Sequence, residues 1–350
     1  MKIRAKVIEA WNRFFFQPIP ACSLGLFRIA FAFVLLITVE GMAEDALVWY
    51  GEEGVVPRAV AIRSLEGPRL SLLTILPQSD LIVRCFLAVL LLAGASLLIG
   101  YKTRLASIIV WACLVSVHHR DVFLLHSGDH LMRTLSFFLM FAPCGRAYSV
   151  DRLLRLRRGL EEPGIPYIVP WAQRLLQIQV CVMYFNAVLY KLAGTHWIDG
   201  TAAWYISQLD EFKRFPVPDL VHTLWFSQLT TWSALAVEAA FPLLVWFRPL
   251  RPWVLIAGVL LHLGLEYTMN LPFFQWVVLA GYFLFLEMWI GKPHSVAVSR
   301  PQSERATLSA RNDDSGAQNS GVRTRQSQMG MRPSRRRCVV EMDSTRFVRR

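Results

Sequence analysis

A lysine that ends a long apolar run is a candidate base. Burial disfavours the ammonium and leaves a neutral amine able to take a proton. The segment Tyr184-Phe185-Asn186-Ala187-Val188-Leu189-Tyr190-Lys191-Leu192, followed by Trp197-Ile198-Asp199-Gly200, has this form. A loop rich in Trp197, Trp204 and Tyr205 follows Lys191 and could close an apolar pocket over it. Taken alone, the segment reads as a snorkelling anchor, its ammonium in water and its aromatics in the interfacial belt.

Histidines add a second line of chemistry. His118 and His119 end one apolar run, His126 and His130 bracket Asp129, and His196 and His222 lie in a later polar stretch. His262 stands one helical turn before Glu266, at i,i+4 spacing on one face. That spacing admits a metal pair, but no complete motif such as HExxH accompanies it, so a proton-handling site ranks above a metal.

These groups need a scaffold, and composition says which kind. The 350 residues are 54% hydrophobic and 18% charged, too apolar for an ordinary soluble domain. Eight apolar stretches approach the length that crosses about 30 Å of hydrocarbon. They run near 23–43, 81–100, 105–118, 130–144, 173–190, 231–247, 253–267 and 273–290. The expected fold is all-α, a polytopic transmembrane bundle of about eight spans. The six cysteines form no CxxC pair and read as small hydrophobes.

Charge sets the orientation. With both termini inside, the inner segments within residues 1–290 hold 14 Lys and Arg against 7 in the outer ones. The loop from Arg146 to Arg158 is the strongest inside signal. The same asymmetry accounts for the net charge of +12, so no nucleic-acid partner is expected. In this orientation seven of the eight histidines lie on the outer side, which suggests one polar site opening outward.

Three regions are expected. Residues 1–18 carry Ile3, Val7, Trp11, Phe14 and Phe15 near one helical face among basic residues, the pattern of an interfacial helix. Residues 19–291 form the transmembrane domain. Residues 292–350, with Arg335-Arg336-Arg337, read as a disordered basic cytoplasmic tail whose charge suits anionic membrane lipid. Ionisable residues within spans each need a reason. Arg28 and Arg84 are expected to pair with Glu40 or Glu238 between helices.

Several of these motifs, in order, resemble the HTTM group, the bacterial relatives of the transmembrane part of vitamin K-dependent γ-carboxylase. The strongest is Tyr190-Lys191-Leu192 with Trp197-x-x-Gly200. Supporting pieces are Trp49-Tyr50-Gly51 with Gly54-Val55-Val56-Pro57-Arg58, His126-Ser127-Gly128-Asp129-His130 leading to Tyr148-Ser149-Val150-Asp151, and His262 leading to Phe273-Phe274-Gln275-Trp276. The resemblance covers roughly residues 15–290. It implies that Lys191 is the base that deprotonates a reduced quinone similar to vitamin K hydroquinone. It also implies that His130 or His126 acts during oxygenation, with His262, Trp197 and Asn186 around the substrate.

Four residues separate Leu192 from Trp197, one more than in the carboxylase. No outer docking domain follows the spans, so a protein substrate for carboxylation is not expected. The expected partners are membrane lipid and a lipophilic quinol in a bacterial cytoplasmic membrane. The alternative is a non-catalytic binding or transport protein with an outward-facing polar site. Transport predicts paired internal repeats, and no repeat is evident.

Overall fold

The computed structural model describes residues 2–63, 69–120, 123–216 and 218–286. The basic segment 292–350, Glu287 and His294 lie outside the described residues. Helices of eight or more residues are numbered here. They are α1 (Lys2–Phe16), α2 (Cys22–Glu44), α3 (Asp80–Ile99), α4 (Thr103–Arg120), α5 (Ser127–Leu139), α6 (Val150–Arg157), α7 (Trp171–Leu192), α8 (Leu224–Leu244), α9 (Arg251–Thr268) and α10 (Phe274–Tyr282). Each of the eight apolar stretches overlaps one of these helices in its described residues. Two residue pairs, Ile19 with Ile168 and Pro20 with Tyr167, make a minimal antiparallel ladder (β1, Ile19–Pro20; β2, Tyr167–Ile168) between the entries to α2 and α7.

Among the described residues, three helices are long and apolar enough to cross a membrane: α2, α3 and α7. Two stretches fall short of the expected spans. The fourth closes at Leu139, and its 13 residues reach about 20 Å at 1.5 Å per residue. The eighth closes its α-helix at Tyr282 and, among the described residues, continues as one 3-10 turn, Phe283–Phe285. Large apolar side chains point outward around the bundle, among them Phe33, Leu92, Leu243 and Leu260. An apolar exterior over an apolar core is what a lipid solvent selects.

Local chemistry sets the helix ends. Gly100 closes α3 in the left-handed conformation (φ 76°), its N–H returning to the carbonyls of Ser96 and Leu97. No other residue fits there, because a Cβ would overlap the Arg28 guanidinium. Asp151 satisfies the start of α4, accepting from the N–H groups of Lys102 (2.7 Å) and Thr103 (2.9 Å) and from the Thr103 hydroxyl (2.9 Å). His126 and Asp129 cap α5 reciprocally: the Gly128 N–H donates to the His126 ring, and the His126 N–H donates to Asp129.

The expected pairing of the intramembrane charges is corrected. Arg28 is fully buried and meets no carboxylate among its hydrogen-bond partners. Its guanidinium donates to Leu97 O (2.9 Å) and Tyr148 O (2.5 Å), tying α2 to the end of α3 and to the loop before α6. Glu40 and Arg84 sit exposed near the end of α2 and the start of α3. Glu238 is buried, and its partner is Lys191.

Candidate functional site

Lys191 lies in the last turn of α7, and helical side chains lean back toward the N-terminus of their helix. Its ammonium therefore reaches inward along α7 rather than out past its end. There it donates to both carboxylate oxygens of Glu238 on α8, at 2.5 Å each. The pair is mostly enclosed, with side chains 22% and 6% exposed. Trp197 covers the ammonium, its ring centroid 4.5 Å from Nζ.

The spacing of the Trp197–Gly200 motif has a physical reason. The loop after α7 is buttoned onto α8. Trp232 donates to Ile198 O (3.3 Å), the Ser227 hydroxyl donates to Gly200 O (3.1 Å) and accepts from Trp204 N–H (2.9 Å), and Thr231 accepts from Ala203 N–H (3.0 Å). Gly200 turns the chain at φ 81°, and a Cβ there would press on Gln228 and on the Trp232 ring. The motif thus holds Trp197 over Lys191. Trp204 and Tyr205 were expected to close the pocket too, but both are exposed and Tyr205 packs against the His196 ring at a tilt instead (4.1 Å).

Two turns deeper along the same face of α7, Tyr184 opens a buried polar file. Its hydroxyl lies 2.5 Å from His262 Nε2 on α9 and 2.5 Å from the Tyr282 hydroxyl on α10. His262 Nδ1 meets Gln275 Oε1 at the start of α10. All four side chains are buried, His262 and Gln275 at 1% and 0% exposure. Phe241, one turn beyond Glu238 on α8, packs against both phenol rings, at 4.5 Å from Tyr184 and 5.0 Å from Tyr282. Gly258, one turn before His262, leaves the space that the Tyr282 hydroxyl fills. Four helices thus enclose one polar core in an apolar bundle.

Of the expected site residues, Lys191, Trp197 and His262 fall in or against this core. Asn186 does not join it. Two positions past Tyr184 it has rotated by about 200°, and it is exposed. His126 and His130 belong to a second group. Asp129 lies 3.4 Å from His126 and 3.7 Å from the buried His118, while His130 accepts from Arg133 (3.0 Å) and faces outward. No hydrogen bond or ring contact among the described residues joins Lys191 to either histidine. The two groups adjoin through Phe274. A Cβ on Gly128 would come within 3.3 Å of its Cα, and its ring lies 6.3 Å from His262. His196 and His222 bind loop partners of their own. Glu266 pairs with Arg214 and accepts from Trp276 (3.0 Å), so it does not share a ligand set with His262.

Four members of the core were missed as site residues: Glu238, Tyr184, Tyr282 and Gln275. Two signals were available. Tyr184 precedes Lys191 by seven residues, which is two turns on one face. Glu238 is a lone carboxylate in an apolar run, and such a group requires a cation. An open cleft of about 560 Å³, lined by Glu52, Glu53, Arg58 and Gln78, is built from a different stretch of chain and holds none of these groups.

The model of the HTTM domain matches residues 16–289. The chain belongs to the HTTM family, membrane proteins related to the γ-carboxylases. It is also similar to the uncharacterized protein YitO of Bacillus subtilis (strain 168), 24% identical over 196 residues. That alignment covers 52% of this chain and 60% of YitO. No solved structure matches.

Proposed function

We propose that this HTTM-family protein is a multi-pass membrane enzyme that deprotonates a lipophilic quinol, with the Lys191–Glu238 pair as its base. The observation that carries this reading is a mostly enclosed amine on a buried carboxylate, in the same bundle as four further buried polar groups. Such a cluster is costly in a lipid-soluble bundle unless it is used. Lys191 as an ammonium cannot accept a proton. In this reading it becomes an amine when its proton passes to Glu238. The pair then takes the phenolic proton, and the quinolate passes two electrons to dioxygen. The overall balance is quinol and dioxygen to quinone and hydrogen peroxide, or to epoxide and water. Carboxylation of a protein partner is the less supported extension.

In this reading the eight apolar helices cross the bacterial cytoplasmic membrane with both termini inside, α1 lies in the inner interface, and the basic tail is cytoplasmic. The exposed Ile3, Val7 and Trp11 on α1 support its place there. His126, more than the outward-facing His130, adjoins the core and is the better candidate for the second functional histidine.

The competing reading is a binding or transport protein in which Lys191–Glu238 only clamps α7 to α8. It has one observation in its favour, the closeness of the pair itself. Quinol-dependent oxygen uptake by purified protein in lipid, wild type against Lys191→Ala, separates the two. Loss of uptake in a folded variant supports the base, and equal uptake returns the pair to a clamp.

A further inference from the structure

The outward face of α7 carries two amides that the bundle does not satisfy. Gln179 and Asn186 stand seven positions apart, two turns on one face and about 10 Å along the axis. Asn186 is exposed and Gln179 half-buried, and neither side chain has a hydrogen-bond partner among the described residues. The 22 residues of α7 span about 33 Å, and it is the least buried of the three long apolar helices. Gln179 lies about 12 Å from its first residue and Asn186 about 9 Å from its last, so in a membrane both sit within the hydrocarbon. No water takes the amide hydrogens at that depth, and each amide is costly unless another polar group meets it.

A wider pattern names the group that meets them. Leu175, Gln179, Val182, Asn186 and Leu189 follow at intervals of four, three, four and three, the seam of a coiled coil. None of the five is buried, and Val182 and Leu189 are 40% and 51% exposed. Both amides fall on a positions, and the apolar residues fall on d. We propose that this chain forms a homodimer through the outward face of α7, with Gln179 and Asn186 each meeting the same residue of a second copy. Two copies inserted the same way in one membrane are related by a two-fold axis along its normal, which sets the helices parallel. In a parallel pair a meets a, so each amide faces its own like across the axis. An amide both donates and accepts, so like satisfies like. A lipid tail offers neither group, and a different protein would need amides at the same two levels. A second copy supplies them by symmetry. Lys191 lies two positions past Leu189, rotated by about 200° to the other side of α7, so the pairing does not depend on the reaction.

The test uses full-length protein in liposomes and reads association in two ways. Energy transfer between two labelled pools, followed as lipid dilutes the protein, measures the dimer against the monomer. Gln179→Leu and Asn186→Leu keep an apolar side chain on the seam and remove the amide. Each is expected to raise the protein-to-lipid ratio at half-association by about 3- to 10-fold, and the two together by more. Cross-linking locates the interface, in a background with Cys85→Ser and Cys338→Ser so that neither thiol competes. Val182→Cys places a thiol on the seam, and Leu243→Cys places one on the exposed face of α8. Mild oxidation is expected to make Val182→Cys mostly a covalent dimer and to leave Leu243→Cys mostly monomeric at equal density. Wild-type protein that stays monomeric at every dilution overturns the proposal. Association that both amide substitutions leave unchanged overturns it too, as does cross-linking through Leu243→Cys in place of Val182→Cys. Should an amide variant fail to fold, the contrast between the two cysteine variants decides alone.

Discussion

Arg28 is a buried cation and Lys191 a mostly enclosed one in the same apolar bundle, and the difference between their partners separates holding from working. Arg28 is satisfied by two main-chain carbonyls that cannot titrate, and its guanidinium keeps its proton in any protein setting. It ties α2 to the end of α3 and to the 148 loop, and nothing in that arrangement can change charge. Lys191 is satisfied by a titratable carboxylate, and two turns deeper on the same helix begins a buried file of phenols and imidazole. A fixed partner makes a clamp. A titratable partner makes a site.

The largest effect expected from breaking this contrast lies at Arg28, and it falls on folding. Arg28→Met removes two charge-assisted hydrogen bonds, each worth about 1.5–3 kcal/mol, and leaves the space of the guanidinium unfilled. Monodisperse yield and thermal unfolding in detergent should collapse, while quinol turnover per folded molecule stays near wild type. An Arg28→Met protein that is stable but inactive would reverse the roles assigned to the two cations.

Lys191 predicts the opposite split. Lys191→Arg keeps a cation for Glu238 and the Trp197 ring, so folding should survive. The guanidinium cannot become a neutral acceptor, so turnover should fall by about 10²–10⁴, the range of a general base. Unfolding temperature and oxygen uptake measured on one preparation decide it, and full uptake with an intact fold would make Lys191 a clamp like Arg28.

Much of this contrast was legible in the sequence, and its gaps have physical causes. Each of the eight apolar runs contains a helix among the described residues, because a lipid-facing helix must be apolar around its surface, a signal carried by composition alone. The Tyr190-Lys191-Leu192 and Trp197–Gly200 motifs were legible through their resemblance to the HTTM group, and the turn at Gly200 shows a local reason for one of their residues. The Lys191–Glu238 pair was not, since 47 positions separate its members and only packing of α7 on α8 brings them together. Arg28 was assigned a carboxylate because a buried charge needs a partner, but main-chain oxygens carry no sequence signature. Counting histidines by side of the membrane did not gather them either. A shared side leaves lateral position open, and the outer histidines divide among the α5 cap, the 196–222 loops and the polar core.

Gly200 sharpens the comparison at smaller magnitude. Gly200→Ala forces a Cβ into a left-handed turn already pressed on Gln228 and Trp232, a cost of about 1–3 kcal/mol. The damage should stay local, loosening the loop and drawing Trp197 off the ammonium. Turnover should then drop several-fold with a modest loss of thermal stability. Unchanged turnover would show that Trp197 covers Lys191 without contributing to its work.

The smallest effect tests whether clustered charge alone makes a site. Glu161, in the loop after α6, accepts from Arg155 (2.8 Å) and Arg152 (3.2 Å) and lies 3.9 Å from Arg146. Burial pushes its carboxyl up, but the hydrogen bond from Arg155 and the charges of Arg155, Arg152 and Arg146 outweigh that and hold it below the usual carboxylate range. A carboxyl depressed in the folded state stabilises fully above its unfolded value, near 4.3, and the contribution disappears as pH falls through the folded value. Glu161→Gln should therefore be less stable than wild type by about 1 kcal/mol or less from pH 8 down to about pH 5. The gap should close in still more acid solution. Thermal unfolding of both proteins across that range reads it directly. Quinol turnover should not move with this substitution, because every partner of Glu161 is an arginine that keeps its proton. If turnover falls with Glu161→Gln as it does with Lys191→Arg, a titratable partner is not what distinguishes the working cation from the holding ones.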